Sequence, residues 1–364
     1  MAIGIARKGR WVLDSAQEGT SSLRYEDSLT FEATQMAPDE VLVDIHAASL
    51  NYREIAIAKG NPTSAIPLPA TPDVIPGSDG AGVVVAVGSA VSQQSSWLKP
   101  GAKVVTHMCP HIADEALPRL EDVCSGLGQK LNGTLARRGI FHHTALVRMP
   151  QHMSFVEAAT LTCSALTAWN ALMGMRGHEV KEGDWVLVQG TGGVSVAALQ
   201  IAVAAGANVI AITSSESKVK KMLELGARHV INYREQTNWG EVARSLTPDS
   251  RGVDHVVDVV GAKTMDQSLN ALRLHGLITV TGMIGGPGEA VRAPDAMSAL
   301  WRLCVFRGIY LGSRAMFKDM VKFLEEKKVK PAVDDVAFSL EEAKQAFERL
   351  ERQQHFSKVI IKMD

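Results

Sequence analysis

The sequence predicts an α/β fold: a mostly β first domain, joined to a second domain built on a doubly wound parallel sheet. Three observations predict it. A short apolar strand, a glycine turn and a helical apolar pattern follow one another over residues 185–205. Strand and helix patterns then alternate as far as residue 282, as a parallel sheet with crossover helices requires. Residues 1 to about 150 instead show short alternating runs separated by Pro and Gly. At 364 residues the chain is long enough for two separate cores.

Taken in order, Val41–His46 alternates in the manner of a half-buried strand. Pro and Gly cluster over 60–77, which is loop chemistry, and Gly80–Val87 reads as a strand with a glycine-rich entry. The turn Lys99-Pro100-Gly101 precedes a strand at Lys103–Thr106, and residues 107–138, polar and irregular, read as a surface lobe. Helices begin near Ser154, where the second domain is expected to start. Its strands are expected at 185–189, 208–213, 229–232, 254–259 and 277–281. Two amphipathic helices follow, over Ala315–Lys327 and Leu340–Arg352, and Lys358–Ile361 reads as a last strand.

Composition excludes several partners. The 38 basic and 39 acidic residues nearly cancel, so neither nucleic acid nor an anionic membrane is implied. The first residues lack a signal-peptide layout, and no apolar run reaches transmembrane length. Cys109, Cys124, Cys163 and Cys304 are scattered, as in a reduced intracellular protein. The expectation is a soluble, cytosolic protein acting on a small molecule.

The glycine turn carries the sharpest motif. Trp185–Val188 is apolar throughout, as suits a strand buried on both faces. Gly190-Thr191-Gly192-Gly193-Val194-Ser195 follows, and Ala197, Ala198, Ile201, Ala202 and Ala205 recur at helical spacing. Such a unit places a pyrophosphate on a helix N-terminus. Against Gly-x-Gly-x-x-Gly, Ser195 replaces the third glycine, a mild change at a position that controls helix–strand packing. The second strand, Asn208–Thr213, ends in Ser214-Ser215-Glu216-Ser217-Lys218. An NAD site wants a carboxylate about 20 residues after the first glycine. Hydroxyls and an ammonium suit a 2′-phosphate instead, which points to NADP(H). The alternatives are that Ser214 or Ser215 only caps the next helix, and that Glu216 serves NAD.

The chain resembles the medium-chain dehydrogenase/reductase superfamily, in a zinc-free, quinone-oxidoreductase-like branch. The resemblance rests on Ala48–Glu54, Pro76-Gly77-Ser78-Asp79-Gly80-Ala81-Gly82, Leu161–Trp169 and Gln189–Ser195. Leu225-Gly226-Ala227, Val230–Tyr233, Leu311–Arg314 and His355–Ile361 complete it. It implies a GroES-like first domain over 1–153 that residues 312–364 rejoin, a Rossmann second domain inserted over 154–311, and a substrate between them. Zinc-dependent members of the superfamily keep cysteine, histidine and cysteine where this chain has Asn51, Ser78 and Cys163. Amide and hydroxyl side chains are poor zinc ligands, so no metal is expected. His107, Cys109, His111 and Cys124 offer a second metal reading, opposed by Pro110 and by a spacing unlike common zinc modules.

From the same resemblance, Asn51 and Tyr52 fall nearest the substrate. Tyr52 suits proton donation and Asn51 suits orientation of the substrate oxygen or nicotinamide ribose, while a structural hydrogen bond is the plainer role for Tyr52. Thr167 is expected near the phosphates or nicotinamide, Tyr233 over the 2′-phosphate, and Gly282, Met283 and Ile284 beside the nicotinamide. Leu311, Ser313, Ser357 and Lys358 are expected to close the far side. Three functions follow as expectations: metal-free hydride transfer to a quinone or activated C=C, metal-free carbonyl–alcohol chemistry, or cofactor binding without turnover. A homodimer through the sheet edge near 295–311 is implied by the same resemblance.

Overall fold

The computed structural model describes residues 8–15, 17–27, 31–60, 69–282 and 297–363. Contacts divide the chain into two compact units, one running to Cys163 and resuming at Ser313, the other spanning Ser164–Gly312.

The first unit holds a mainly antiparallel seven-stranded sheet and a separate two-stranded ribbon made by its first two strands. Its strands are β1 (Arg10–Leu13), β2 (Leu23–Glu26), β3 (Glu40–Leu50), β4 (Asp79–Val87), β5 (Lys103–Thr106), β6 (Arg138–His142) and β7 (Leu146–Arg148). The second unit contributes β8 (Trp185–Gln189), β9 (Asn208–Thr213), β10 (His229–Asn232), β11 (Val253–Asp258), β12 (Leu272–Val280) and β13 (Val305–Gly308). The chain then returns to the first unit with β14 (Ala337–Ser339) and β15 (Val359–Lys362).

The long strand β3 organises the first unit, because β4, β6 and β15 all pair with it antiparallel. The first-unit order is β14-β15-β3-β4-β5-β7, with β6 also on β3. Its core gathers Val41, Val43, Ile45 and Leu50 of β3 with Phe141, Phe347 and Leu350. Gly82 is required where β3 and β4 approach, since a Cβ there would lie 2.2 Å from the Asp44 carbonyl oxygen. β15 places Val359 opposite Leu50, which brings the residue before it, Lys358, to the end of β3. The stretch from Ser154 packs in this unit: Phe155 stacks on His46 at 4.4 Å, and Ser49 Oγ lies 2.8 Å from the Ala159 carbonyl.

The second unit is a six-stranded parallel sheet in the order β10-β9-β8-β11-β12-β13. Every residue of β8 and of β11 is buried; this explains the apolar run of β8, while β11 also buries Asp254, His255 and Asp258. The order reverses between β8 and β11, and in such sheets ligands bind beyond the strand ends at that point. The first three strands lie where the sequence places them.

Two expectations change. β12 begins at Leu272, not 277, because His275 takes a left-handed φ of 59° and a register shift lets the earlier residues join the sheet. β13 lies outside the expected strands, since it is an edge strand whose alternate residues are exposed. The lobe at 107–138 is irregular, but it is not purely surface. Cys109, Cys124, Leu127, Gln129, Thr134 and Leu135 are buried, and Arg53 donates to the carbonyls of Val123 and Leu127 and to Gln129 Oε1, each at 3.0 Å. Among the described residues no helix is long and apolar enough to cross a membrane.

Candidate active site

In the first unit the polar residues converge where β3 ends. Asn51 leaves the strand with extended backbone, φ −123° and ψ 163°, and caps the helix Tyr52–Ala58. Its N–H donates to Glu54 Oε2 at 2.7 Å, the return arm of a capping box. Glu54 is 2 % exposed, and its other oxygen accepts the Ser78 N–H at 3.2 Å and the Ser78 hydroxyl. Arg53 lies 3.9 Å from the same carboxylate. Tyr52, the first helical residue, is 56 % exposed, so its phenol projects out of this cluster.

Asp79 opens β4 and is fully buried. Facing it is Lys358, 3 % exposed, delivered by Ser357 at a left-handed φ of 57°. The Lys358 ammonium donates to the Leu50 carbonyl at 2.8 Å, to Asp79 Oδ2 at 3.1 Å and to Asn51 Oδ1. An ammonium has three protons, and all three are used inside the unit. That corrects the expectation of a cofactor contact for this side chain. Burial pushes the Asp79 carboxyl above its ordinary range, while the charge and hydrogen bond of Lys358 and a hydrogen bond from Asn51 pull it back. Cys163 sits in a π-helical turn, Leu161–Ala165, and burial, then the negative charge of Asp79, push its thiol up to about 12.

This donor set does not fit a catalytic zinc. Such a site needs deprotonated or imidazole ligands with an open position. Here the three corresponding residues are an amide whose oxygen is held by an ammonium, a hydroxyl committed to Glu54, and a single cysteine. The 107–124 group does not assemble either. His107 is buried with Nδ1 3.1 Å from the Cys109 carbonyl, and burial pushes the Cys109 thiol up to about 12. His111 is exposed, and its ring lies 4.3 Å from that of His142. Among the described residues no three His, Cys, Asp or Glu side chains are placed to hold a metal ion.

In the second unit Gly190 follows β8 with φ 78°, and Gly192 caps the helix Gly193–Ala204. A Cβ built on either glycine would meet no atom within 4 Å, so open space lies over the helix N-terminus. This fits a pyrophosphate, which would rest against free N–H groups. Thr191 is buried, Gly193 and Val194 are half-buried, and Ser195 turns its hydroxyl back onto the Gln189 carbonyl, a packing role at the third motif position. Sequence reasoning missed what lies beneath. Gln189 Nε2 donates to Asp258 Oδ2 at 3.0 Å and Ser268 Oγ at 2.8 Å, while Asp258 Oδ1 accepts the N–H groups of Val260 and Gly261. Gln189, a polar residue ending an apolar run, was the available signal.

Beyond β9, Ser214, Ser215 and Lys218 are half-buried and Glu216 is exposed. Ser215 occupies the cap position of the helix Glu216–Glu224 without a side-chain cap bond; its hydroxyl lies 2.9 Å from that of Ser217. Tyr233, 43 % exposed, is brought to the same strand end by its N–H bond to the Thr213 carbonyl at 3.0 Å. The remaining positions are more ordinary. Thr167 donates to the Tyr310 carbonyl at 3.2 Å, Leu311 is buried, and Ser313 caps the helix Arg314–Lys327 through the Met316 N–H. Gly282 passes close to β11, with a Cβ position 2.8 Å from the Val259 carbonyl oxygen. Met283 and Ile284 lie outside the described residues.

Comparison with known proteins follows these two halves. Residues 37–151 match the alcohol dehydrogenase GroES-like domain, and 193–326 match the zinc-binding dehydrogenase family. The zinc-type alcohol dehydrogenase-like protein C1773.06c of Schizosaccharomyces pombe is 39% identical over 98% of this chain and 99% of its own. An NAD-dependent alcohol dehydrogenase structure has a TM-score of 0.82 at 31% identity, covering 98% of this chain and 100% of the other. A crotonyl-CoA carboxylase/reductase, a single-residue variant of AntE in complex with NADP, has a TM-score of 0.80 at 25% identity, over 98% of this chain and 95% of the other.

Proposed function

We propose, from the premise that this chain belongs to the medium-chain dehydrogenase/reductase superfamily and is an oxidoreductase of it, that it transfers hydride between NADP(H) and a quinone or activated C=C without a metal. The observation that carries this reading is the Lys358 ammonium, held by Leu50, Asn51 and Asp79 among the residues that answer to zinc ligands. The name of the Schizosaccharomyces pombe relative carries the word zinc; the side chains here do not suit that ion.

The cofactor, when bound, supplies the hydride. Gly190, Gly192 and Gly193 take its pyrophosphate; Ser214, Ser215, Lys218 and Tyr233 take the 2′-phosphate. The NADP-bound carboxylase/reductase supports that choice, and the NAD-dependent neighbour is the competing precedent. We assign cofactor binding to 154–311 and the substrate to 1–153 and 312–364. Tyr52 donates the proton. A phenol can donate to the oxygen of the hydroquinone or enolate that such acceptors leave. Metal-free carbonyl–alcohol chemistry is the alternative, and it needs the same donor. The protein is further proposed to work in the cytosol as a homodimer joined along β13.

The test is a fluorescence titration with NADPH and NADH, each complex then mixed with a quinone, an enone and a ketone. Tighter NADPH binding, oxidation by a quinone or enone, and a lower rate with unchanged affinity in Tyr52→Phe are expected. Preference for NADH, or oxidation by the ketone alone, overturns the reading. Tight binding without oxidation by any acceptor favours a protein that holds the cofactor and does not consume it.

A further inference from the structure

We propose that Lys358 is a positioning residue: its buried ammonium is the internal cation on which the Leu50–Asn51–Tyr52 backbone is set, and turnover depends on that setting. The inference rests on the catalytic reading of Tyr52, but its structural half does not.

Three observations carry it. The ammonium binds one backbone carbonyl, one carboxamide and one carboxylate, from residues that end β3 and begin β4. Because an ammonium only donates, the Asn51 carboxamide must turn its oxygen inward, which fixes the orientation of that side chain. Asn51 is also tied through its N–H to Glu54, which holds Ser78, so both sides of the helix start are anchored. Tyr52 is the next residue. Its phenol lies exposed at the first helical position, so the backbone at Leu50 and Asn51 is what aims it.

A purely structural ammonium would neutralise Asp79 and do nothing more. The two roles separate in a pair of variants. Lys358→Met leaves Asp79 buried without its cation, so loss of stability is expected from either role. Lys358→Met combined with Asp79→Asn removes both charges, which restores stability while the hold on Leu50 and Asn51 stays lost.

The experiment measures thermal stability, hydrogen exchange of the 47–58 segment, NADPH affinity and kcat in the full chain. For the double variant the expected result is a melting temperature near wild type and faster exchange confined to 47–58. Affinity for NADPH should change little, and kcat should fall about a hundredfold, the scale of a misplacement near 1 Å. Lys358→Arg should recover part of the rate. Wild-type exchange together with wild-type kcat in the double variant overturns the proposal, as does a loss of NADPH affinity that matches the loss of rate. If the wild-type protein oxidises NADPH with none of the acceptors, the proposed function fails, and the exchange pattern still decides whether Lys358 sets this backbone.

Discussion

In the proposed reading Lys218 is the residue on which cofactor choice turns. It stands one helical turn beyond Ser215, on a helix whose cap residue keeps its hydroxyl free of the usual capping bond. A charge-assisted hydrogen bond to a 2′-phosphate contributes about 1.5–3 kcal/mol. Lys218→Ala is therefore expected to weaken NADPH by roughly tenfold to a hundredfold while leaving NADH nearly unchanged. Parallel titrations read this directly, and equal losses for the two cofactors would remove Lys218 from the phosphate site. At this scale the sequence displays chemistry that is local. The hydroxyls and ammonium after β9 stand within one short stretch. It is uninformative for Lys358, because nothing in a terminal Ser-Lys pair says that the ammonium turns inward. That direction follows from the pairing of Val359 with Leu50, two residues from opposite ends of the chain.

Element by element, β8, β9 and the edge strand β10 of the second sheet were legible, while the start of β12 and the edge strand β13 were not. β8 and β9 match their sequence runs because burial leaves mostly apolar side chains to choose from, and β10 keeps the same length despite its partial exposure. β1, β2, β6, β7 and β14 are short and partly exposed, so tertiary pairing and not pattern defines them. β13 shows the same limit and has a consequence. It pairs with β12 on one side and ends the sheet among the described strands. Beside it, Trp301 is 73 % exposed, and Met297, Leu300, Leu303, Phe306 and Tyr310 are also exposed. An apolar, unpaired edge of this kind invites a second strand. With a homodimer formed here, light scattering should give twice the 39.1 kDa chain mass. Trp301→Glu with Phe306→Lys should give a monomer whose fold, by circular dichroism, is intact, since neither side chain is buried. A monomeric wild type, or a dimer unchanged by both substitutions, would rule out this edge.

For the molecule as a whole, the question is which cation the first unit depends on. A zinc-dependent fold gains free energy from its ion and loses it to a chelator. Here the positive charge is covalently part of the chain, at Lys358, and its carboxylate partner Asp79 lies fully buried beside it. Of the three positions that answer to zinc ligands only Cys163 carries a side chain suited to zinc, and one such ligand does not make a site. Prolonged dialysis against a strong chelator is thus expected to leave both the melting temperature and turnover unchanged, and added zinc to restore nothing. NADPH should behave in the opposite way. At about a hundred times its Kd a ligand that binds only the folded state stabilises by about 2.7 kcal/mol, enough to raise a melting temperature by several degrees. Thermal scans with chelator, zinc and NADPH in separate arms therefore separate the two kinds of dependence in one experiment. A chelator-induced drop that zinc reverses would mean that the internal ammonium does not do the work of the ion, and would return the first unit to the metal-dependent side of its superfamily.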